Sequence, residues 1–208
     1  MVDFKGMSGK QKAEYIWDYY KLHIIGAFVL IIIAGSFIHS QMTKVDYMFN
    51  LTMFGNAIEE NKKSDLEKQL TNLLVEPGEK RKQASVDIIP VSNTTSSSNQ
   101  YMQQFLAKLS VGEIDIVILD KSMFEALAKQ NAFSSMDNLG GLDLASIKNE
   151  KIESIGSDNK NKVYGISAED VKVLKDIGYD VKDKVICITV SSKEKAKAVL
   201  TLEWLLNK

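Results

Sequence analysis

One cysteine in 208 residues excludes a disulfide framework and any multi-cysteine metal site. Two histidines leave little room for imidazole chemistry. Two prolines and 12 glycines are too few for a collagenous or low-complexity chain. A net charge of −1 gives no general drive toward nucleic acid, so none is expected as a partner. What is present is ordinary for a folded protein: 45% of residues are hydrophobic and 25% charged. The length allows one globular domain with some chain to spare.

The spare part lies at the front. LHIIGAFVLIIIAGSFI, Leu22 to Ile38, contains no Asp, Glu, Lys or Arg. As a helix it spans about 25 Å, close to the hydrocarbon core of a bilayer. Tyr15, Trp17, Tyr19 and Tyr20 precede it where an interfacial aromatic belt would sit. Ser8 with Gln11 reads as a capping box starting the helix. Lys5, Lys10, Lys12 and Lys21 lie before the apolar run, and only Lys44 follows closely. The positive-inside rule then puts residues 1–21 in the cytoplasm as an amphipathic juxtamembrane helix, 22–39 across the membrane, and 45–208 outside. Two other readings compete. A run of this length also suits a buried core helix, and Ala34-Gly35-Ser36 resembles a signal-peptide cleavage site. No cysteine follows the run, which excludes a lipoprotein anchor.

From Val45 onward short apolar runs alternate with helical periods. Val45, Tyr47, Phe49, Leu51 and Met53 fall on one side of a strand. Ser64 and Glu67 form a capping box ahead of Leu66, Leu70, Leu73 and Leu74 on one helix face. Val86–Val91 is a second strand ending near Pro90, and Ser92–Asn99 is a polar loop. Met102, Phe105, Leu106 and Leu109 mark the next helix. Ile114–Leu119 is a continuous apolar run, as in a strand buried on both faces. Ser122 and Glu125 cap a helix to Ala132, and Ser134–Lys162 reads as irregular. Val163–Ser167 and Val185–Val190 are the fourth and fifth strands. Ser167 starts a helix to Ile177, and Ser191 with Glu194 starts the last one. This alternation predicts an α/β domain: one mostly parallel five-stranded sheet with helices on both faces.

Catalytic chemistry finds few residues. His23 and His39 both border the apolar run, so Ser-His and Cys-His sites in the following domain lack a base. Cys187 sits in an apolar strand, where a structural thiol is expected. Asp143 is isolated, and Asp158-Asn159-Lys160 lacks the alternating ligands of a calcium loop. Ser157 with Lys160 and Ser192 with Lys195 match a Ser-Lys spacing only as short patterns occur by chance. Asn50-Leu51-Thr52 and Asn93-Thr94-Thr95 match the glycosylation pattern. No metal, cofactor or phosphate loop is expected. Ligands of open parallel sheets lie beyond the carboxyl ends of the strands, which here are marked by Asn56, Asn93, Thr94, Asp120, Ser122 and Ser167. Each also has a structural reading: capping for Ser122 and Ser167, turn formation for Asn56 and Asp120.

FLAKLSVGEIDIVILDKSMFEALAKQNAFSSMDNL, Phe105 to Leu139, resembles the first lobe of type II (family 1-like) extracellular solute-binding proteins of bacterial transporters. In that family a helix ending in glycine, here Gly112, precedes an apolar strand closed by aspartate, here Asp120. A helix and a turn then follow, matched by Asn131-Ala132-Phe133 and Met136-Asp137-Asn138-Leu139. Val163-Tyr164-Gly165-Ile166 is similar to the family's "YGIP" strand, with Ser167 where proline is usual. ICITVSSKEKAKAVLTLEWLL resembles the strand and helix that return to the first lobe. The family places a whole second lobe where this chain has only the stretch between Ser167 and Val185. The resemblance therefore implies half of a clamshell, with the first strand between the second and third.

Together these readings give a single-pass, membrane-anchored, extracytoplasmic module that is not an enzyme. Its partners would be the lipid bilayer and a permease or other envelope protein. A solute receptor of an ABC-type transporter is the alternative, and an envelope hydrolase with a Ser-Lys or carboxylate site a third.

Overall fold

A computed structural model of the chain describes residues 8–79, 81–90, 95–156 and 159–207. The chain divides into two units, 1–44 and 45–208. In the first, α1 runs unbroken from Gly9 to Thr43. At 1.5 Å per residue, its 35 residues extend about 50 Å. The segment Trp17–Ser40 is long and apolar enough to cross a membrane, and none of it is buried. The juxtamembrane and apolar segments read separately in the sequence are one helix.

In the second unit the order is β1 (Asp46–Gly55), α2 (Glu60–Leu74), β2 (Lys82–Pro90), α3 (Thr95–Val111), β3 (Ile116–Asp120) and α4 (Lys121–Ala128). It continues with β4 (Lys151–Ile155), β5 (Asn161–Ser167), α5 (Lys172–Asp176), β6 (Lys184–Ile188) and α6 (Lys195–Asn207). The strands form one sheet in the order β2-β1-β3-β6-β5-β4. As the solute-binding resemblance implied, β1 lies between β2 and β3.

Three expectations need correction. The sheet has six strands rather than five, because Lys151–Ile155 pairs with β5 inside a stretch that reads as irregular. That stretch also holds a 3-10 turn at Met136–Asn138. The sheet is also mixed. β1 is parallel to β2 and β3, but β6 is antiparallel to both of its neighbours and β4 to β5. Four strands (β1, β2, β3 and β5) share one direction, yet parallel neighbours occur only in the β2-β1-β3 half. Third, the helix starts move. α2 begins at Glu60, ahead of Ser64, and its N-cap Glu59 makes no side-chain cap. α4 begins at Lys121, which places Ser122 inside it, and α5 begins five residues after Ser167.

Alternation along the strands sends apolar side chains to two cores. Leu51, Ile116, Ile118 and Ile186 pack with Leu66, Leu70 and Leu74 of α2, Leu174 of α5 and Leu202 of α6. Val117, Leu119, Val185 and Cys187 pack on the other face with Phe105 of α3 and Phe124 of α4. β3 is buried on both faces, which is why its sequence is apolar at successive positions rather than at alternate ones.

The outer edge of β2 would present bare N–H groups, a template for unwanted strand pairing. α2 covers it chemically. Ala84 N–H donates to Thr71 Oγ1 at 3.0 Å, and Val86 N–H donates to Glu67 Oε1 at 3.0 Å. Glu67→Ala should therefore destabilise the folded chain by about 1 kcal/mol, the usual worth of such a bond. Urea unfolding of the chain in detergent would measure this; an unchanged midpoint would show that the edge does not need Glu67.

Candidate functional site

Because β1, β2, β3 and β5 share a direction, Gly55, Pro90, Asp120 and Ser167 end at one edge of the sheet. Asp120 and Ser167 are brought near each other there, facing Lys184 and Val185 at the start of β6. Asp120 Oδ1 accepts a 2.7 Å ion-pair hydrogen bond from Lys184, whose side chain is buried. A buried ammonium without a partner would cost several kcal/mol, so this carboxylate is committed to neutralising it. Ser167 Oγ accepts from the Glu169 N–H at 3.3 Å, a local turn, and its carbonyl accepts from Asn149 Nδ2. Ser122 and Asn56 are exposed at the same edge. Asn93 and Thr94 lie outside the described residues.

The sequence gives no hint of the residue that dominates this edge. Tyr179, in the loop after α5, is buried, and its hydroxyl donates to the Phe54 carbonyl at 2.7 Å. Its ring lies over Gly55, where a Cβ would stand 3.0 Å from the nearest ring atom. Burial, then the negative charges of Asp120 and Asp180, push its phenol well above the ordinary range. It remains a neutral donor.

A second site lies near the opposite ends of the parallel strands, and nothing in the sequence marks it. Here an open cleft of about 640 Å³ is lined by Tyr47, Asn50, Asp87, Lys108, Asp115 and Glu194, among others. A bulge between Tyr47 and Phe49 interrupts the β1–β2 register at its rim. Asp115 is buried below it. One carboxylate oxygen accepts from the Asn50 N–H at 2.9 Å, and the other accepts from Ser192 Oγ at 2.6 Å. Asn50 donates through its amide to Ser85 Oγ and Asp87 Oδ2, and accepts from Thr52 Oγ1. Lys108 completes the wall with a 2.7 Å pair to Asp87. Asn50 of the Asn50-Leu51-Thr52 match is buried, and its amide nitrogen is already engaged by Ser85 and Asp87.

The remaining chemical candidates are occupied or withdrawn. Cys187 is fully buried, and burial pushes its thiol well above the ordinary value. Ser192, the serine of one Ser-Lys pattern, donates its hydroxyl to Asp115. Ser157, of the other, lies outside the described residues. Among the described residues no group of three or more His, Cys, Asp or Glu side chains is placed to hold a metal ion. In the first unit Trp17, Tyr19 and Tyr20 are exposed on α1, with the two tyrosine rings 4.8 Å apart edge to face. The side chain of Tyr15 lies outside the described ones.

No family model matches the sequence, and no curated protein matches it. Among solved structures the chain is similar to an extracellular solute-binding protein family 1 from Alicyclobacillus acidocaldarius, at 16% identity and a TM-score of 0.36. That match covers 60% of this chain and 28% of that one. An ABC substrate-binding protein from Listeria monocytogenes, in complex with cycloalternan, matches at 13% identity and TM-score 0.32, over 58% of this chain and 28% of that one. A mannobiose-bound protein matches at 16% identity and TM-score 0.38, over 65% and 35%. The chain thus spans about a third or less of the length of these proteins, and values this low establish no shared function.

Burial raises the Asp115 carboxyl above its ordinary value, outweighing the Ser192 and Asn50 hydrogen bonds that favour its charged form. A group that holds its proton more tightly when folded supports folding fully below its unfolded value, near 3.8. That support is lost as pH rises through the folded value. Relative to Asp115→Asn, the wild-type chain should therefore lose stability as pH climbs above about 4. Chemical unfolding at several pH values would check this, and parallel pH profiles for the two chains would refute it.

Proposed function

We propose that this chain is a single-pass, membrane-anchored, extracytoplasmic module that binds other envelope components through protein contacts and is not an enzyme. The observation that carries the reading is the continuous helix α1, whose apolar window Trp17–Ser40 has none of its length buried. Leu22, Phe28, Leu30, Ile31, Ile33 and Phe37 are all exposed, and a continuous apolar surface of this length suits the hydrocarbon of a bilayer. The lysines before the apolar run, against Lys44 alone just after it, favour an N-terminus in the cytoplasm. The aromatic residues Trp17, Tyr19 and Tyr20 suit the inner interface.

The non-enzymatic part rests on the residues of the outer domain. Both histidines belong to α1, the one cysteine is buried, and Ser192 is bound to a buried carboxylate. A domain of this kind offers surfaces rather than a reaction centre. Its two sheet faces are covered by helices, so what it presents to a partner is helix exteriors and strand-end loops.

Protease shaving of intact cells carrying a tag at each end tests the arrangement. The C-terminal tag is expected to be digested and the N-terminal tag protected. Protection of the C-terminal tag with digestion of the other would reverse the topology. Protection of both in cells whose known surface proteins are cleaved would place the domain inside.

A further inference from the structure

The strand order reverses between β1 and β3, and in open sheets the crevice outside the strand ends at such a reversal is the usual place for a ligand. Here it is filled from within. The Tyr179 ring lies over the end of β1 with its hydroxyl on the Phe54 carbonyl. Glycine at position 55 makes the space, since any larger residue would bring its Cβ within 3.0 Å of the ring. The loop is pinned in this position. Gly178 takes a left-handed conformation with φ of 81°, and the Tyr179 N–H donates to the Leu174 carbonyl at 3.0 Å. At the end of β3 the Asp120 carboxylate is already paired with the buried Lys184. The Phe54 carbonyl that a solute would meet at the reversal, and one oxygen of the Asp120 carboxylate, are already engaged by the chain itself.

We propose that Tyr179 is a built-in occupant of this crevice, standing in the place of a ligand, so that the native chain takes no free solute there. Removing its side chain would leave a site for a small phenol. A flat ring would lie over Gly55, and one hydroxyl would reach the Phe54 carbonyl. The proposal rests on the sheet and its loops alone, so it stands or falls independently of the membrane arrangement.

The test uses the full chain in detergent. Phenol is expected to raise the melting temperature of Tyr179→Gly, and benzene to raise it less, because benzene leaves the Phe54 carbonyl unpaired. The wild-type chain in the same detergent should respond to neither. A folded variant indifferent to phenol would overturn the proposal, as would a wild-type chain stabilised equally well. Should the variant not fold, nitration of the wild-type chain with tetranitromethane, mapped by mass spectrometry, serves instead. Tyr179 should react at least about tenfold more slowly than the exposed Tyr47. Equal rates would show an open crevice and end the idea.

Discussion

Ile116, Val117, Ile118 and Leu119 stand side by side in β3 and all leave water, which a strand can do only when both faces of its sheet are covered. The rest of the domain follows from that demand. α2, α5 and α6 close one face and α3 and α4 the other. β6 lies beside β3 under the same double cover and is equally buried, Cys187 included. α1 meets the opposite situation. Its apolar side chains face outward and its backbone is satisfied within the helix, and under the proposed reading lipid covers them. One chain thus contains two kinds of apolar surface, one buried within the domain and one exposed along α1.

An apolar strand buried on both faces has little to fix its position along its own axis, and here the ends supply it. Asp115 immediately precedes β3, and Asp120 closes it. The first ties the strand's start to the β1 backbone through Asn50 and to the β6–α6 loop through Ser192. The second ties its end to Lys184 at the start of β6. Each is a charge-assisted contact in a partly or wholly desolvated place, where geometry matters more than in water. The same two staples border the two candidate sites. The cleft near Asp115 and the crevice near Asp120 lie at opposite ends of one five-residue strand.

Much of the fold was legible because burial leaves a pattern. The runs of β3 and β6, the leucine spacing of α2 and the apolar run of α1 each determine their own structure from neighbouring residues. β4 was not legible: KIESI buries only Ile152 fully, lies at the sheet edge and owes its existence to pairing with β5. The helix starts shifted because Ser64 and Ser122 suggest caps, whereas α2 and α4 begin without any side-chain cap. At the site, Asp120 and Ser167 end at one edge of the sheet although antiparallel β6 lies between their strands. Tyr179 could not be foreseen, since its partner Phe54 is 125 residues away and no local spacing encodes that contact. The Asp115 network is hidden in the same manner, its partners lying 65 and 77 residues off in sequence.

That the chain is divided between lipid and water is tested most directly by alkaline carbonate extraction of membranes from cells producing it. The intact chain should remain in the membrane pellet, and a form lacking residues 22–38 should pass into the soluble fraction while still folded. An intact chain released by carbonate would contradict the claim that hydrocarbon covers α1.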